Sequence, residues 1–501
     1  MKSAASLSAA VVLLSGSANA FWRMPCFSRT ALMRLDPIVD PGTPSSHGHV
    51  IHGGSNFAET TTYDMLREST CTSCQFGDDK SAYWTPSLHF VHGDGKVEIV
   101  PQIGGMLAYY LLLGENIKAF PKGFQMLAGD SQLRNFSGPV PDPPTSAWSL
   151  DDMSQESLAQ KSLGFNCLDY NRAPEGSRYR HFLPDKAFLD QNCGNGIRAE
   201  IFFPSCWNGK DVAAKNHKSH MAYPNLIDGG KCPEGFETRL PSLFYETIWN
   251  TNAFKGKDGQ FVWSNGDPTG YGYHADFING WDINVLQSAV TDCTNPSGRV
   301  EDCKHFAGSL QTEQQQDKCD IQETPEVLKK DDCAGPAKGL CGNVPVQYGP
   351  QYANPLKPGS PDKPTAKPTI SSVAAVPTQT YAPARSEGPG GISKYEAKTD
   401  AVKEAPKASS KVEVAAKPSP KVEEKPAAYP VVTPAPVPEK QNADPKGKIV
   451  STTTYTSAGV VYEIAIEEVA VTVTVTDDAA YKHKHRRHAD AHVRRHIGAR
   501  H

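Results

Sequence analysis

Two short runs decide the fold: IRAEIFF at residues 197–203 and LFYETIW at residues 243–249. Both are rich in β-branched and aromatic residues and lie between turn-forming residues, which is typical of β-strands. Residues 97–101 and 124–127 have the same character, whereas only residues 156–163 favour a short helix. The sequence therefore predicts a mainly β protein, with a β-sandwich or jelly-roll-like core that carries long loops and disulfides.

The N-terminus has the layout of a secretory signal peptide. Lys2 precedes a short apolar run, and Ala18-Asn19-Ala20 is a small-residue cleavage motif. The run is too short to span a bilayer, and no later stretch suits a membrane helix. The charged C-terminus lacks the hydrophobic tail of a GPI anchor. We therefore expect residues 1–20 to be removed and the protein to be secreted, either extracellular or associated with the cell wall.

The 12 cysteines all lie between Cys26 and Cys341. An even number in an exported chain predicts a disulfide framework. Seven precede Trp281 and five follow it. If all are paired within the chain, at least one bridge must join the two groups. Cys71-Thr72-Ser73-Cys74 is followed by turn-forming residues, which favours two structural half-cystines over a redox pair or a zinc site.

The pattern divides the chain into six parts. After the signal peptide come a β-rich core at residues 21–285 and a cysteine-rich connector, tied to it, at residues 286–345. Residues 346–447 are rich in Pro, Lys and Ala and predict a disordered, extended stalk. Residues 448–478 are β-prone, with Ser457-Ala458-Gly459 suited to a hairpin turn. Residues 479–501 form a basic, histidine-rich tail.

The tail predicts a charged attachment segment. Residues 482–501 hold seven Lys or Arg, six His and one acid, in a chain whose net charge is −4. Its histidines suit capture of a divalent metal, or attachment to anionic wall polymers at acidic pH. A solvated tail with no partner is an equally good interpretation. Nucleic acid is a poor partner for an exported chain.

Three clusters in the core concentrate side chains capable of chemistry. In a strand, His47 and His49 share one face and suit metal chelation or proton transfer. The second cluster has an H-x-x-H spacing without the H-E-x-x-H of a zincin. The third sets a His and an Asp two residues apart among glycines and aromatics. The candidate catalytic residues are His47, His49, His217, His220, Asp211, His274 and Asp276. A divalent metal is a possible cofactor, and each cluster also has a purely structural interpretation.

Neighbouring side chains suit ligand binding, because aromatic rings give sugars an apolar platform and polar groups bind their hydroxyls. The ligand-binding candidates are His52, Asn56, Lys80, Tyr83, Trp84, Tyr273 and Trp281. A glycosidase needs two carboxylates, for which Asp79, Asp211, Glu246, Asp276 and Asp282 are available. Asn135-Phe136-Ser137 is an N-glycosylation acceptor. A histidine-brace copper oxidase is disfavoured. Such enzymes begin with a mature N-terminal histidine, whereas the predicted first mature residue here is Phe21.

Many blocks of the core resemble the fungal DUF1996 family over about residues 30–282. The blocks are FWRMPC at residues 21–26, RLDPIVDPG at 34–42, residues 47–57, the C-x-x-C at 71–74, DKSAYWTP at 79–86, FNC at 165–167, PSCWNGKD at 204–211, residues 217–224 and residues 270–282. The resemblance implies an extracellular protein of a filamentous fungus, and no established reaction. Some relatives add WSC-type carbohydrate-binding modules, and this chain shows no WSC motif.

Three functions compete on these observations. The first is action on, or binding of, cell-wall or other extracellular polysaccharide, suggested by the polar and aromatic loops. The second is a non-catalytic wall or surface protein, suggested by the stalk and tail. The third is an extracellular metal-binding protein that uses the histidine clusters. Convergence of the histidines with Asp211 or Asp276 would favour a functional site.

Overall fold

A computed structural model of the chain describes residues 20–356, together with the backbone of two strands at residues 448–457 and 460–468. The predicted signal peptide, almost all of the stalk and the basic tail lie outside the described residues. The strands are, in chain order, β1 (Ala20–Cys26), β2 (Ala31–Met33), β3 (His49–Gly53), β4 (Ala82–Pro86), β5 (Leu88–His92), β6 (Val97–Ile99), β7 (Gln102–Leu112), β8 (Gln125–Gly129), β9 (Leu163–Cys167), β10 (Ile197–Phe202), β11 (Cys206–Trp207), β12 (Met221–Ala222), β13 (Thr238–Arg239), β14 (Ser242–Trp249), β15 (Gly259–Trp263), β16 (His274–Ile278), β17 (Lys448–Ser457) and β18 (Val460–Glu468).

Helices are short and lie between the strands. They are α1 (Tyr63–Arg67), α2 (Gln155–Lys161), α3 (Lys186–Asn192), α4 (Ile283–Asp292) and α5 (Glu313–Asp317), with 3₁₀ turns at Thr145–Ala147, Thr251–Phe254, Val300–Asp302 and Glu326–Leu328. The short helix predicted at residues 156–163 is confirmed by α2. The sequence did not predict α4, which is the longest described helix and begins where Asp282 accepts hydrogen bonds from the N–H groups of Asn284 and Val285.

Two five-stranded antiparallel sheets form the body of the protein. Sheet I has the order β1-β7-β14-β10-β9, and sheet II has the order β2-β3-β4-β16-β8. Two three-stranded sheets have the orders β15-β5-β6 and β12-β11-β13. The strands β17 and β18 pair antiparallel with each other and belong to a separate unit.

Both large sheets contribute to one hydrophobic core. Alternate residues of β14, such as Leu243 and Tyr245, point into it from sheet I, and Tyr83 and Phe277 point into it from sheet II. The hydroxyls of Tyr83 and Tyr110 meet across the two sheets at 2.7 Å. The predicted mainly β, sandwich-like core is therefore confirmed.

Six disulfides connect the described cysteines. They are Cys26–Cys74, Cys71–Cys319, Cys167–Cys193, Cys206–Cys232, Cys293–Cys303 and Cys333–Cys341. The predicted bridge between the two cysteine groups is confirmed by Cys71–Cys319. The two cysteines of the C-x-x-C bond to different partners, as expected of structural half-cystines. This framework is compatible with an extracellular protein.

The outer face of sheet II, turned away from the shared core, is also buried. Ile51, Trp84 and Ile278 belong to a second hydrophobic cluster on this face. Residues before β3 and in the connector cover it: the Ile321 N–H donates to the Thr30 carbonyl, and the Gln322 N–H donates to the Ser55 carbonyl. No helix among the described residues is long and apolar enough to cross a membrane.

Candidate metal centre

The strand register of sheet II brings chemically capable side chains together on its buried outer face. In β3, His49 pairs with Pro86 of β4, and in β16, Asp276 pairs with Trp84 of the same strand. Side chains two residues apart on a strand point to the same face, so His274 lies on the same face as Asp276. His49 and His274 thus flank β4 from opposite sides. His47, two residues before His49, approaches from the loop that precedes β3.

Three imidazoles converge there. His47, His49 and His274 each offer a ring nitrogen, and these atoms lie within 4.8 Å of one another. The Nε2 atoms of His47 and His274 are 3.1 Å apart. Two nitrogens bound at about 2.05 Å to one tetrahedral ion would be about 3.3 Å apart. The spacing is therefore that of two ligands of one ion, or of a direct hydrogen bond.

Outer contacts orient two of these rings. The Nδ1 of His274 lies 3.0 Å from the Gly272 carbonyl, so it carries the proton and leaves the Nε2 lone pair facing the cluster. The Nδ1 of His47 lies 3.0 Å from the Ser46 hydroxyl, which can donate or accept. Such contacts to the second ring nitrogen are what fix metal-binding histidines.

His49 is different, because neither ring nitrogen has a close hydrogen-bond partner among the described residues. The backbone of Leu35 interacts with the ring, but it opposes the lowering of the pKa of His49 less than burial and His274 cause it. Its side chain is fully buried, at 0% exposure. Buried polar groups without a partner are rare, and each is costly. The ring therefore lies inside the protein without a close hydrogen bond at either nitrogen.

Two carboxylates adjoin the same ring. Asp36, His49 and Asp276 offer ligand atoms that also lie within 4.8 Å of one another. The Oδ1 of Asp36 accepts hydrogen bonds from the backbone N–H groups of Ile38 and Val39, at 3.1 and 3.0 Å. Neither carboxylate oxygen of Asp276 has a hydrogen-bond partner in the part of the chain that the structure describes, although the residue is 0% exposed. We call the five residues the His–Asp cluster.

Burial and mutual repulsion set the charges of the cluster. Burial, and then the neighbouring imidazoles, hold the pKa of His47 well below its usual value, and burial lowers the pKa of His274 to about 4. Burial, and then the charge of Asp36, raise the pKa of Asp276 well above its usual value. The histidines are therefore neutral near pH 7, and the carboxyl pair favours a shared proton or a bound cation.

Two cations stand near the cluster. Lys218 donates from Nζ to the Gly129 carbonyl at 2.6 Å, and Gly129 pairs with His274. Arg134 lies 3.5 Å from Asp267 and donates to several backbone carbonyls. Their charges lower the pKa of His274 further. Both are held by other groups, and neither bonds to a member of the cluster.

The connector closes the cluster from solvent. Arg34 forms an ion pair with Asp331 at 2.6 Å, and His89 Nε2 lies 2.9 Å from the Cys333 carbonyl. A β-carbon at Gly48 would lie only 3.5 Å from the Cys333 sulfur, so this part of the connector rests on the loop that holds His47. Asp331, Cys333 and Cys341 also lie close together, but both sulfurs are in a disulfide and do not ligate.

The structure brings together four of the seven candidate catalytic residues: His47, His49, His274 and Asp276. The other three lie in the loop of residues 208–220. His220 Nε2 is 2.8 Å from the Gln125 carbonyl, and Asp211 is exposed and accepts from Asn208 at 2.8 Å. His217 has a left-handed backbone with φ of 61°.

Sequence reasoning missed Asp36 as a member of the site. It stands in the RLDPIVDPG block that carried the family resemblance, so a signal was present. Nothing in that block, however, indicates that its carboxylate meets strands that lie far along the chain.

The polar ligand-binding candidates have structural contacts. His52 lies 2.8 Å from the Ser28 carbonyl and is buried, and Asn56 donates to the Met65 carbonyl at 2.8 Å. Lys80 is half-buried, and burial lowers its pKa. The predicted glycosylation acceptor Asn135 is exposed.

The aromatic candidates are fully buried. Tyr83 donates to Asp79, and Trp281 donates to the Tyr110 hydroxyl at 2.8 Å. Trp84 packs against Phe57, with ring centres 5.1 Å apart, and Tyr273 packs against Trp263 at 4.5 Å. These rings pack inside the protein and form no exposed platform.

Fold and site together define a mainly β, disulfide-linked protein with a closed cluster of imidazoles and carboxylates. Residues 36–281 match the model of a family described as "Domain of unknown function (DUF1996)", so this part of the chain is similar to that family. The resemblance predicted from the sequence is thereby confirmed. All five residues of the His–Asp cluster lie inside the match, whereas β1 and the connector extend the folded unit beyond it. No curated protein and no solved structure matches the chain.

Proposed function

We propose that this protein binds a divalent transition-metal ion through His47, His49 and His274. One observation carries the proposal: three imidazoles with ligand atoms within 4.8 Å of one another are enclosed in the fold, and His49 has no close hydrogen-bond partner among the described residues. Imidazole suits zinc, copper, iron and nickel. The lowered pKa values of His47 and His274 keep these rings in the neutral form that ligates.

The closed setting favours a tightly held ion. His47 is 5% exposed, and the other two rings are less exposed still. A site of this kind stabilises the folded protein, because an ion that binds only the native state adds to the free energy of unfolding. We infer a metal-stabilised, exported protein. Six disulfides support export.

Action on polysaccharide stays a prediction from the sequence. The enclosed His–Asp cluster offers no surface to a polymer, and we do not assign that action to it. Attachment to the cell wall through the tail likewise stays a prediction, since the tail lies outside the described residues.

The test measures metal content and stability of the full chain. The six tail histidines bind metal on their own account, so they are first replaced by glutamine. We expect the metal-depleted protein to regain an ion from zinc or copper, and to gain about 2.7 kcal/mol of unfolding free energy at a free-ion concentration of 100 Kd. His47→Gln combined with His274→Gln removes this gain, whereas the control His92→Gln, at a histidine paired with Glu98, keeps it.

Equal metal content and equal stabilisation in the double variant and the control would overturn the proposal. Intact disulfides and an unchanged circular dichroism spectrum show that the variants are folded.

A further inference from the structure

The three imidazoles of the His–Asp cluster are not equivalent. His47 and His274 each commit Nδ1 to an outer partner, Ser46 or Gly272. Each therefore has one nitrogen, Nε2, for the interior of the cluster. A histidine that ligates one ion almost always binds an outer partner with its second nitrogen. Among the described residues, His49 has no close hydrogen-bond partner at either nitrogen, and its interaction with the Leu35 backbone is the smallest of the contributions to its pKa.

Two groups of donors meet at this ring. One consists of His47, His49 and His274, and the other of Asp36, His49 and Asp276. His49 is the only residue common to both. The first group is made of nitrogen donors, and the second adds two carboxylates, which suit a harder ion or a second zinc or copper.

The set of Asp36, His49 and Asp276 also contains oxygen atoms that are free to bind a metal ion. Both oxygens of the fully buried Asp276 lack partners, so Asp276 does not accept a hydrogen bond from His49. Asp36 is aimed by two backbone N–H groups, as the ligating carboxylates of metal sites are. Two buried carboxylates of like charge are stabilised when a divalent cation lies between them.

From this geometry we propose that the protein holds two metal ions bridged by the imidazole of His49. One ion is bound by His47, His274 and one nitrogen of His49, and the other by Asp36, Asp276 and the second nitrogen. This inference rests on the proposed function and extends it from one ion to two.

The chemistry balances without electron transfer. A neutral imidazole has one lone pair and one N–H group. When the second ion binds, the N–H proton leaves to solvent, and the lone pair that it releases forms the second metal–nitrogen bond. Any proton shared by the carboxyl pair leaves as well.

The experiment uses the full chain with its six tail histidines replaced by glutamine, loaded with copper(II) chloride. Metal content is measured by elemental analysis, and coupling of the ions by the integrated intensity of the copper EPR signal. We expect two ions per chain and an EPR intensity well below that of two isolated ions, because an imidazole bridge couples their spins. Asp276→Asn is expected to retain one ion and restore the full EPR intensity of that ion.

The outcomes separate the two proposals. No bound copper overturns both. One ion per chain leaves the proposed function standing and overturns the second site. Two ions with full EPR intensity overturn the bridge. Asp36→Asn is the second variant, in case Asp276→Asn fails to fold, and Asp282→Asn, at the half-buried start of α4, is a control that keeps both ions.

Discussion

Histidines in this protein are buried in two different ways. His52 has a neighbour at each ring nitrogen, with the Ser28 carbonyl 2.8 Å from Nδ1 and the Gln102 amide 3.4 Å from Nε2. His49, three residues earlier in the same strand, has no close hydrogen-bond partner within the described part of the chain. The first pattern satisfies a core residue, and the second leaves donors for a ligand. The contrast separates structural from functional histidines more sharply than burial does, since both are at most 1% exposed.

His52 makes the protein sensitive to acid. Burial lowers its pKa to about 4, so between about pH 6.5 and pH 4 the unfolded chain binds a proton that the folded chain does not. Stability present above about pH 6.5 is therefore lost as pH falls, by about 1.4 kcal/mol per pH unit for this group. We expect His52→Gln to reduce that slope in urea unfolding measured from pH 7 to pH 4.5. The control is His92→Gln, and identical slopes for both variants would contradict the prediction.

Tyr83 donates a hydrogen bond to a buried carboxyl group, that of Asp79. Its hydroxyl donates to Asp79 and meets the Tyr110 hydroxyl, and burial raises the pKa of Asp79. Tyr83→Phe leaves a buried carboxyl without this donor, which we expect to cost about 1–3 kcal/mol of unfolding free energy. Thermal unfolding checks the value. Tyr348→Phe, which loses a part-buried contact with Gln260, serves as the control, and an equal loss in both variants would argue against the role given to Tyr83.

Among the elements, local sequence predicted several strands but not their partners. The runs at residues 197–203 and 243–249 form β10 and β14, in which successive side chains point to opposite faces of the sheet. The sequence did not predict β7, the long strand that lies between β1 and β14 in sheet I and contains Gly104 and Gly105. Strand pairing depends on contacts between segments that are distant in sequence, and local composition does not predict those contacts.

The same limit applies to the candidate site. His47 and His49 were predicted to share a face because they are two residues apart. Their meeting with His274 depends on β3 and β16 both pairing with β4. Asp36 was missed because its position follows from the loop before β3 and not from any spacing.

Asp282 caps the N-terminus of α4, which is a structural role. Its Oδ1 accepts from the N–H groups of Asn284 and Val285, at 2.9 and 3.1 Å. We expect Asp282→Ala to lower the unfolding free energy by about 1 kcal/mol, and Asp282→Asn to cost much less, because asparagine also caps helices. Chemical denaturation of the two variants measures the difference. Equal losses would mean that the carboxylate acts through something other than the cap.

At the scale of the whole molecule, the connector is part of the folded core. Cys71–Cys319 joins it to the core across 248 residues of sequence. Phe306 lies in the shared core, and Val97 exchanges backbone hydrogen bonds with Ala337. A chain that ended with the family match at residue 281 would therefore lose the cover of the His–Asp cluster.

Because the connector covers the His–Asp cluster, we expect a bound metal ion to exchange slowly. Arg34 binds Asp331 through two nitrogens, at 2.6 and 3.3 Å, and also donates to the Ser45 carbonyl beside the loop of His47. Asp331→Asn weakens the ion pair with Arg34 and leaves every proposed metal ligand in place. We expect zinc transfer to an excess of chelator to become about tenfold faster, which corresponds to the loss of about 1.4 kcal/mol from one charge-assisted pair. Equilibrium affinity should change less than the rate, because the cover opposes escape of the ion more than it contributes to binding. Glu326→Gln, in an exposed ion pair of the same connector, is the matched control. If both variants release zinc at the rate of the unaltered protein, the ion leaves by another route and the connector is not its barrier.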